Sequence, residues 1–240
     1  MTGLARWPRD PSRTTLRRRV ALLVLTTAAV VSCGRSGGDP PGTASSTPPP
    51  SAASTPTGEP PAIGPDDAVR TVVVSDQGPS STAGGPAWPD LLANGLAGAG
   101  IPMSVVTAAR DGAGFTSSPA FADLVAGTAE GSTQLVVLFD SRLAGTDTLS
   151  GAAQDTFTEV ERAAPDAMLV VVGPLTAEDA TASATGSAEL AAATQQAGGT
   201  YVDPRAEGWS PDVTQAELAE LLRLQLQPLV EVLAASGANR

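Results

Sequence analysis

Five short apolar runs, at residues 71–74, 103–106, 135–139, 168–172 and 200–202, constrain this chain more than any other feature. The first four are continuous and rich in Val and Leu, and they do not alternate with polar residues; the fifth is weaker. An alternating run has one wet face, whereas a continuous β-branched run has none. That is the mark of strands covered on both sides in a parallel sheet. Parallel neighbours need long crossovers, and helix-like stretches lie between the runs at 88–99, 120–126, 152–163 and 188–197. A last helix is expected from Thr214. There Thr214-Gln215-Ala216-Glu217 has the capping-box pattern, and Leu218, Leu221, Leu222, Leu226, Leu229, Val230 and Leu233 follow helical spacing. Pro228 is expected to kink it. Strand–helix alternation of this kind predicts an α/β fold over residues 66–240, a three-layer α/β/α sandwich with a mostly parallel five-stranded sheet. Sites in such sheets form beyond the carboxyl ends of the strands. The segments after residues 74, 106, 139, 172 and 202 are therefore the ones to search.

Nothing before residue 66 fits that pattern. Arg17, Arg18 and Arg19 form a basic stretch ahead of the apolar segment 20–31, whose 12 residues fall short of the ~20 that span a bilayer as a helix. Val30-Val31-Ser32-Cys33-Gly34 then places a small residue before the only Cys of the chain. This is read as a lipoprotein signal peptide over residues 1–32, with Cys33 as the lipidated residue. A thioether-linked diacylglycerol with an added acyl chain buries enough hydrocarbon for stable anchoring. The Gly, Pro, Ser and Thr that fill residues 34–65 bury too little to offset their ordering entropy, so residues 33–65 are read as a disordered tether. The expected location is the outer face of the cell membrane, after export, with the membrane as partner through the lipid.

Charge and residue types exclude several functions. From residue 66 onward there are seven Arg and no Lys against 22 Asp and Glu. A surface that acidic repels phosphate backbones, so no nucleic-acid partner is expected. With no His in 240 residues and a single Cys, imidazole acid–base catalysis and His/Cys zinc sites are ruled out. No metal and no cofactor are expected.

The strand ends carry Ser75-Asp76-Gln77-Gly78, Arg110-Asp111-Gly112-Ala113-Gly114, Asp140-Ser141-Arg142-Leu143 and Gly173-Pro174. The fifth is followed by Asp203 to Trp209, and then by Asp212-Val213-Thr214-Gln215 ahead of the last helix. In this order the segments resemble the blocks of the SGNH (GDSL-type) hydrolases, over roughly residues 68–235. The resemblance implies an SGNH-like, flavodoxin-like sandwich. It also puts the nucleophile's position on Gln77, the base on Gln215 after Asp212, a backbone donor on Gly112 or Gly114, and the Asn oxyanion donor on Leu143. Neither Gln can attack a carbonyl or carry a proton near neutral pH. The expectation is a domain that is not an enzyme, a binding or accessory module for an envelope glycan or acyl ligand. The alternative is an active ester or acyl hydrolase built on Ser75 or Ser81 with a carboxylate.

Pocket candidates are Asp76, Gln77, Gly114, Arg142, Trp209 and Gln215. Asp76 either caps a helix after the first strand or lines the pocket. Gln77 and Gln215 bond each other or a ligand across the cleft, and Asp212 is expected as a turn residue ahead of the Thr214 cap. Arg142 binds an anionic or sugar group or pairs with Asp111 or Asp140. Trp88 and Trp209 are packing residues, unless Trp209 stacks on a sugar ring. Glu159, Glu161, Glu178 and Asp179 are expected on solvated faces.

Overall fold

The computed structural model describes residues 68–78, 85–143, 147–175 and 180–237. The signal segment, Cys33, the tether, Ser81, Glu178 and Asp179 lie outside the described residues.

Five strands, β1 (Val69–Ser75), β2 (Met103–Ala109), β3 (Leu135–Phe139), β4 (Met168–Val172) and β5 (Thr200–Val202), form one sheet in the order β2-β1-β3-β4-β5. Every pairing is parallel, with Val72 opposite Val106 on one side and Val136 on the other. Five helices connect and close it: α1 (Trp88–Gly98), α2 (Phe121–Thr128), α3 (Leu149–Ala163), α4 (Ala180–Gln196) and α5 (Gln215–Gly237). This is the expected doubly wound α/β/α sandwich.

Strand alternation sorts the core into two layers. Val69, Val73, Val137 and Phe139 pack under α1 and α5 with Trp88, Leu92, Leu218, Leu222 and Leu226. Val72, Val74, Val136 and Leu138 face α2, α3 and α4 through Phe121, Val125, Phe157 and Leu190. β3 is buried at every residue, as its uninterrupted Leu-Val-Val-Leu-Phe run requires. Trp88 is a packing residue, set edge-on to Phe139 with ring centroids 5.7 Å apart.

The strand order reverses between β1 and β3. β2 lies outside β1, so β1 and β3 are neighbours though not consecutive, and their carboxyl ends form the switch point beside which doubly wound sheets place ligands.

Helix α5 starts as the sequence predicts. The Thr214 hydroxyl accepts the Glu217 N–H at 3.2 Å, and the Glu217 carboxylate accepts the Thr214 N–H at 2.9 Å. Thr214→Ala is expected to cost about 1 kcal/mol, read as a fall of about 2–4 °C in the thermal midpoint. Pro228 does not end α5, which continues to Gly237. Its missing N–H frees the carbonyl of Leu224, an exposed residue whose turn water can reach.

Candidate functional site

Ser75 and Asp76 close β1; Asp140 and Ser141 follow β3. The Asp76 N–H donates to the Phe139 carbonyl at 3.3 Å, carrying the β1–β3 ladder one step past the strands. The Asp76 side chain then crosses to the other strand end. Its Oδ1 accepts the Ser141 N–H at 3.0 Å, and its Oδ2 accepts the Ser141 hydroxyl at 2.5 Å. Arg142 Nε lies 3.6 Å from the same Oδ2. Asp76 thus caps no helix among the described residues, where the first helix begins at Trp88. Arg142 pairs with Asp76, and not with Asp111 or Asp140 as expected from sequence.

Asp140 sits behind this contact. Its carboxylate accepts the Phe115 N–H at 3.4 Å and the Arg142 N–H at 3.3 Å. The fit is tight at Gly114, where a Cβ would lie 3.0 Å from Asp140 Oδ2 and 3.0 Å from Ser117 Oγ. Asp76 and Asp140 are 3% and 4% exposed, so both carboxyls are desolvated. Burial raises the pKa of Asp76, while the Ser141 donors and the Arg142 charge hold it down. Asp140 is pushed up to about 7, first by burial and then by the charge of Asp76. Asp140 is therefore the carboxyl of the pair that keeps its proton furthest up the pH scale, to about 7.

The sign of the resulting pH dependence follows directly. Between the ordinary Asp value of 3.8 and about 7, folded Asp140 binds a proton that the unfolded chain has lost. Stability therefore falls as pH rises through that window, and Asp76, also raised, acts in the same direction. Going from about pH 5 to about pH 8 is expected to remove roughly 2–3 kcal/mol, seen as a falling thermal midpoint. Asp140→Asn, which cannot ionise, should flatten that slope; a midpoint rising with pH in the unmodified domain would contradict the assignment.

On the α1/α5 side of the same sheet end lies a cavity of about 380 Å³, lined among others by Ser75, Gln77, Trp88, Thr107, Ala109 and Gln215. Gln77 and Gln215 meet there, with Gln215 Nε2 donating to Gln77 Oε1 at 3.2 Å. Gln215 Oε1 accepts the Trp88 N–H at 3.0 Å, capping α1 from the first residue of α5. Ser75 Oγ accepts the Gln77 N–H at 3.0 Å. Gly78 passes so close to Asp111 that a Cβ would lie 2.6 Å from its backbone nitrogen.

The other candidates do not join this cavity. Leu143 is half-buried and packs with the α2–α4 layer, and Gly112 occupies a turn at φ +77°. Trp209 packs against the α1/α5 layer and lines a second cavity of about 460 Å³ with Asp212, Glu217 and Glu220. Glu159 is tied to Arg162 on the surface of α3. Ser141 is the residue that sequence reasoning left without a role. The available signal was a hydroxyl beside Asp140 at the end of a strand that neighbours β1, legible only once the strand order is known.

No protein-family model matches the chain, and no curated protein does. Solved structures of similar fold are found. The SGNH-hydrolase family esterase AlinE4 has a TM-score of 0.48 at 14% identity, over 72% of this chain and 99% of that one. A phospholipase A1 from Streptomyces albidoflavus has 0.42 at 18%, over 58% and 80%. An extracellular lipase from Streptomyces rimosus has 0.39 at 16%, over 57% and 80%. The expectation that this chain is not an enzyme does not stand. The structures it is similar to are esterases and lipases. That expectation rested on Gln77, Gln215 and Leu143 and on the absence of His, and it gave no role to Ser141, whose hydroxyl is bonded to the buried carboxylate of Asp76.

Proposed function

We propose that the domain hydrolyses carboxylic esters, with Ser141 as nucleophile and Asp76 as its base. The observation that carries this reading is the 2.5 Å bond from Ser141 Oγ to Asp76 Oδ2. A nucleophile within hydrogen-bond reach of a base, with the base fixed by further contacts, is the arrangement that activates a hydroxyl. Here the Ser141 N–H and Arg142 fix the carboxylate. Burial raises the proton affinity of Asp76 and makes it a stronger base than a free Asp, which supports the role in a chain without His.

In this reading Ser141 Oγ attacks the ester carbonyl carbon as its proton passes to Asp76. The carbonyl π bond opens to an oxyanion beside the Arg142 guanidinium, whose side chain is 63% exposed. The oxyanion collapses, the C–O bond to the leaving alcohol breaks, and the alcohol takes the proton from Asp76. Water then attacks the Ser141 ester, giving its proton to Asp76. The acid departs and Ser141 regains the proton.

The test is the initial rate on p-nitrophenyl acetate and butyrate. Saturable turnover is expected, and Ser141→Ala should lower kcat by ~10⁴ or more, as losing an activated nucleophile does. Turnover unchanged in Ser141→Ala would overturn the assignment, as would turnover abolished only by Ser75→Ala.

Export and lipid anchoring belong to the same proposal, supported by the basic, apolar and Ser32-Cys33 pattern. The enzyme would then act at the outer membrane face, on acyl esters within reach of its tether. Cys33→Ala is expected to move the protein from the membrane fraction to the soluble one; full membrane retention of that variant would refute the anchor.

A further inference from the structure

We propose that Gln77 and Gln215 form a polarised amide relay that binds a neutral, carbonyl-bearing ligand in the cavity they line. The proposal concerns binding alone and holds whether or not Ser141 turns over an ester.

The polarity of the relay is set by the backbone. The Trp88 N–H can only donate, so the Gln215 atom facing it at 3.0 Å is the oxygen Oε1. Gln215 therefore turns its Nε2 toward Gln77, and the Gln77 atom that receives it at 3.2 Å must be the acceptor Oε1. The orientation of both amides follows from one peptide group, and the relay ends on Gln77 Nε2. That terminal NH₂ carries two N–H donors, and no hydrogen bond joins it to another described residue. Gln77 is held from behind as well, its own N–H bonded to Ser75 Oγ at 3.0 Å. The half-buried side chain thus presents donors on a fixed stem, the feature that lowers the entropic cost of binding.

The surroundings select the ligand class. The cavity, about 380 Å³, is walled partly by Pro86, Ala87, Pro89 and Ala109, and it is within the size range of small-molecule sites. Its donors are neutral, Asp90 stands on its wall, and no Arg is among the described residues that line it. A carboxylate or phosphate would meet an acidic wall with no cation to pair with it. A neutral acceptor meets donors at one end and apolar contacts around its body. An amide or ester carbonyl on a short aliphatic chain fits both.

Reversing the relay is a sharper test than removing it. Gln77→Glu keeps an oxygen to accept from Gln215 Nε2 and replaces the terminal NH₂ by a carboxylate oxygen, so the cavity changes from donor to acceptor. Gln77→Met keeps the shape without either. The probes are N-butylbutanamide, butylammonium and butyrate, titrated into the domain while side-chain and backbone amide shifts are followed by NMR. N-butylbutanamide is expected to shift the Gln77 NH₂ pair and the Trp88 N–H in the unmodified protein. Its Kd should rise at least tenfold in both variants, and butylammonium should bind Gln77→Glu but not Gln77→Met. The proposal is overturned if the amide binds all three proteins equally. Shifts confined to other residues, or butyrate binding the unmodified protein better than the amide, would overturn it too. Amide binding without ester turnover would leave this site standing and remove the ester-hydrolase reading; turnover without amide binding would do the reverse.

Discussion

Asp76→Asn is expected to lower ester turnover by ~10⁴ or more while leaving the fold intact. Asn retains a carbonyl oxygen to accept the Ser141 N–H, now held at 3.0 Å, so the junction of β1 and β3 keeps its backbone contact. The proton acceptor is lost, because an amide oxygen does not take a proton near neutral pH. Little stability is lost with the Arg142 pairing, since the guanidinium is largely exposed and such pairs contribute at most about 1 kcal/mol. The expected pattern is a collapsed kcat with a thermal midpoint within a few degrees of the unmodified domain. A kcat within tenfold of the original would show that Asp76 is only a brace between two strands.

Leu222→Ala carries the second large expected effect, on stability. Leu222 is fully buried at the middle of α5, in the layer shared with Trp88, Phe139 and Val73. Removing its side chain there is expected to cost about 2–5 kcal/mol from lost burial and the cavity left behind. For a domain of this size that is a fall of roughly 5–15 °C in the thermal midpoint. Because α5 also delivers Gln215 to the cap of α1, the Trp88 N–H should lose hydrogen-exchange protection in this variant. A change below 1 kcal/mol would mean α5 is not part of the core it is drawn in.

Leu222 also illustrates why so much of the fold was legible. Its helix repeats Leu at a period that only a buried helical face explains, and the β3 and β4 runs are too apolar for anything but a two-sided sheet. Boundaries followed less well. Helix α4 begins at Ala180, eight residues ahead of the expected 188, because its Ala, Thr, Ser and Gly give no apolar stripe to read. β1 and β2 run longer than their apolar runs, since Val69–Met103 and Ser75–Ala109 are held by ladder pairing and not by composition.

The site was legible at Gln77 and Gln215, whose positions relative to β1 and α5 implied that they could meet, and they bond directly. Ser141 was not legible in the same way. Its partner lies 65 residues away, and their contact depends on β3, not β2, lying beside β1 on that side. Trp209 misled as a pocket candidate because chain proximity to Gln215 does not carry around the start of α5, and it lines the second cavity, while Asp212 sits in a turn ahead of the Thr214 cap as expected.

The central claim is that Ser141 is an activated nucleophile, and covalent labelling tests it most directly. The purified domain would be treated with a fluorophosphonate, and the adduct located by intact mass and peptide mapping. The account predicts a single phosphonyl group on Ser141, lost in Asp76→Asn and blocked by p-nitrophenyl butyrate. An adduct on Ser75 with Ser141 unmodified, or no adduct under conditions where ester turnover is measured, would contradict it.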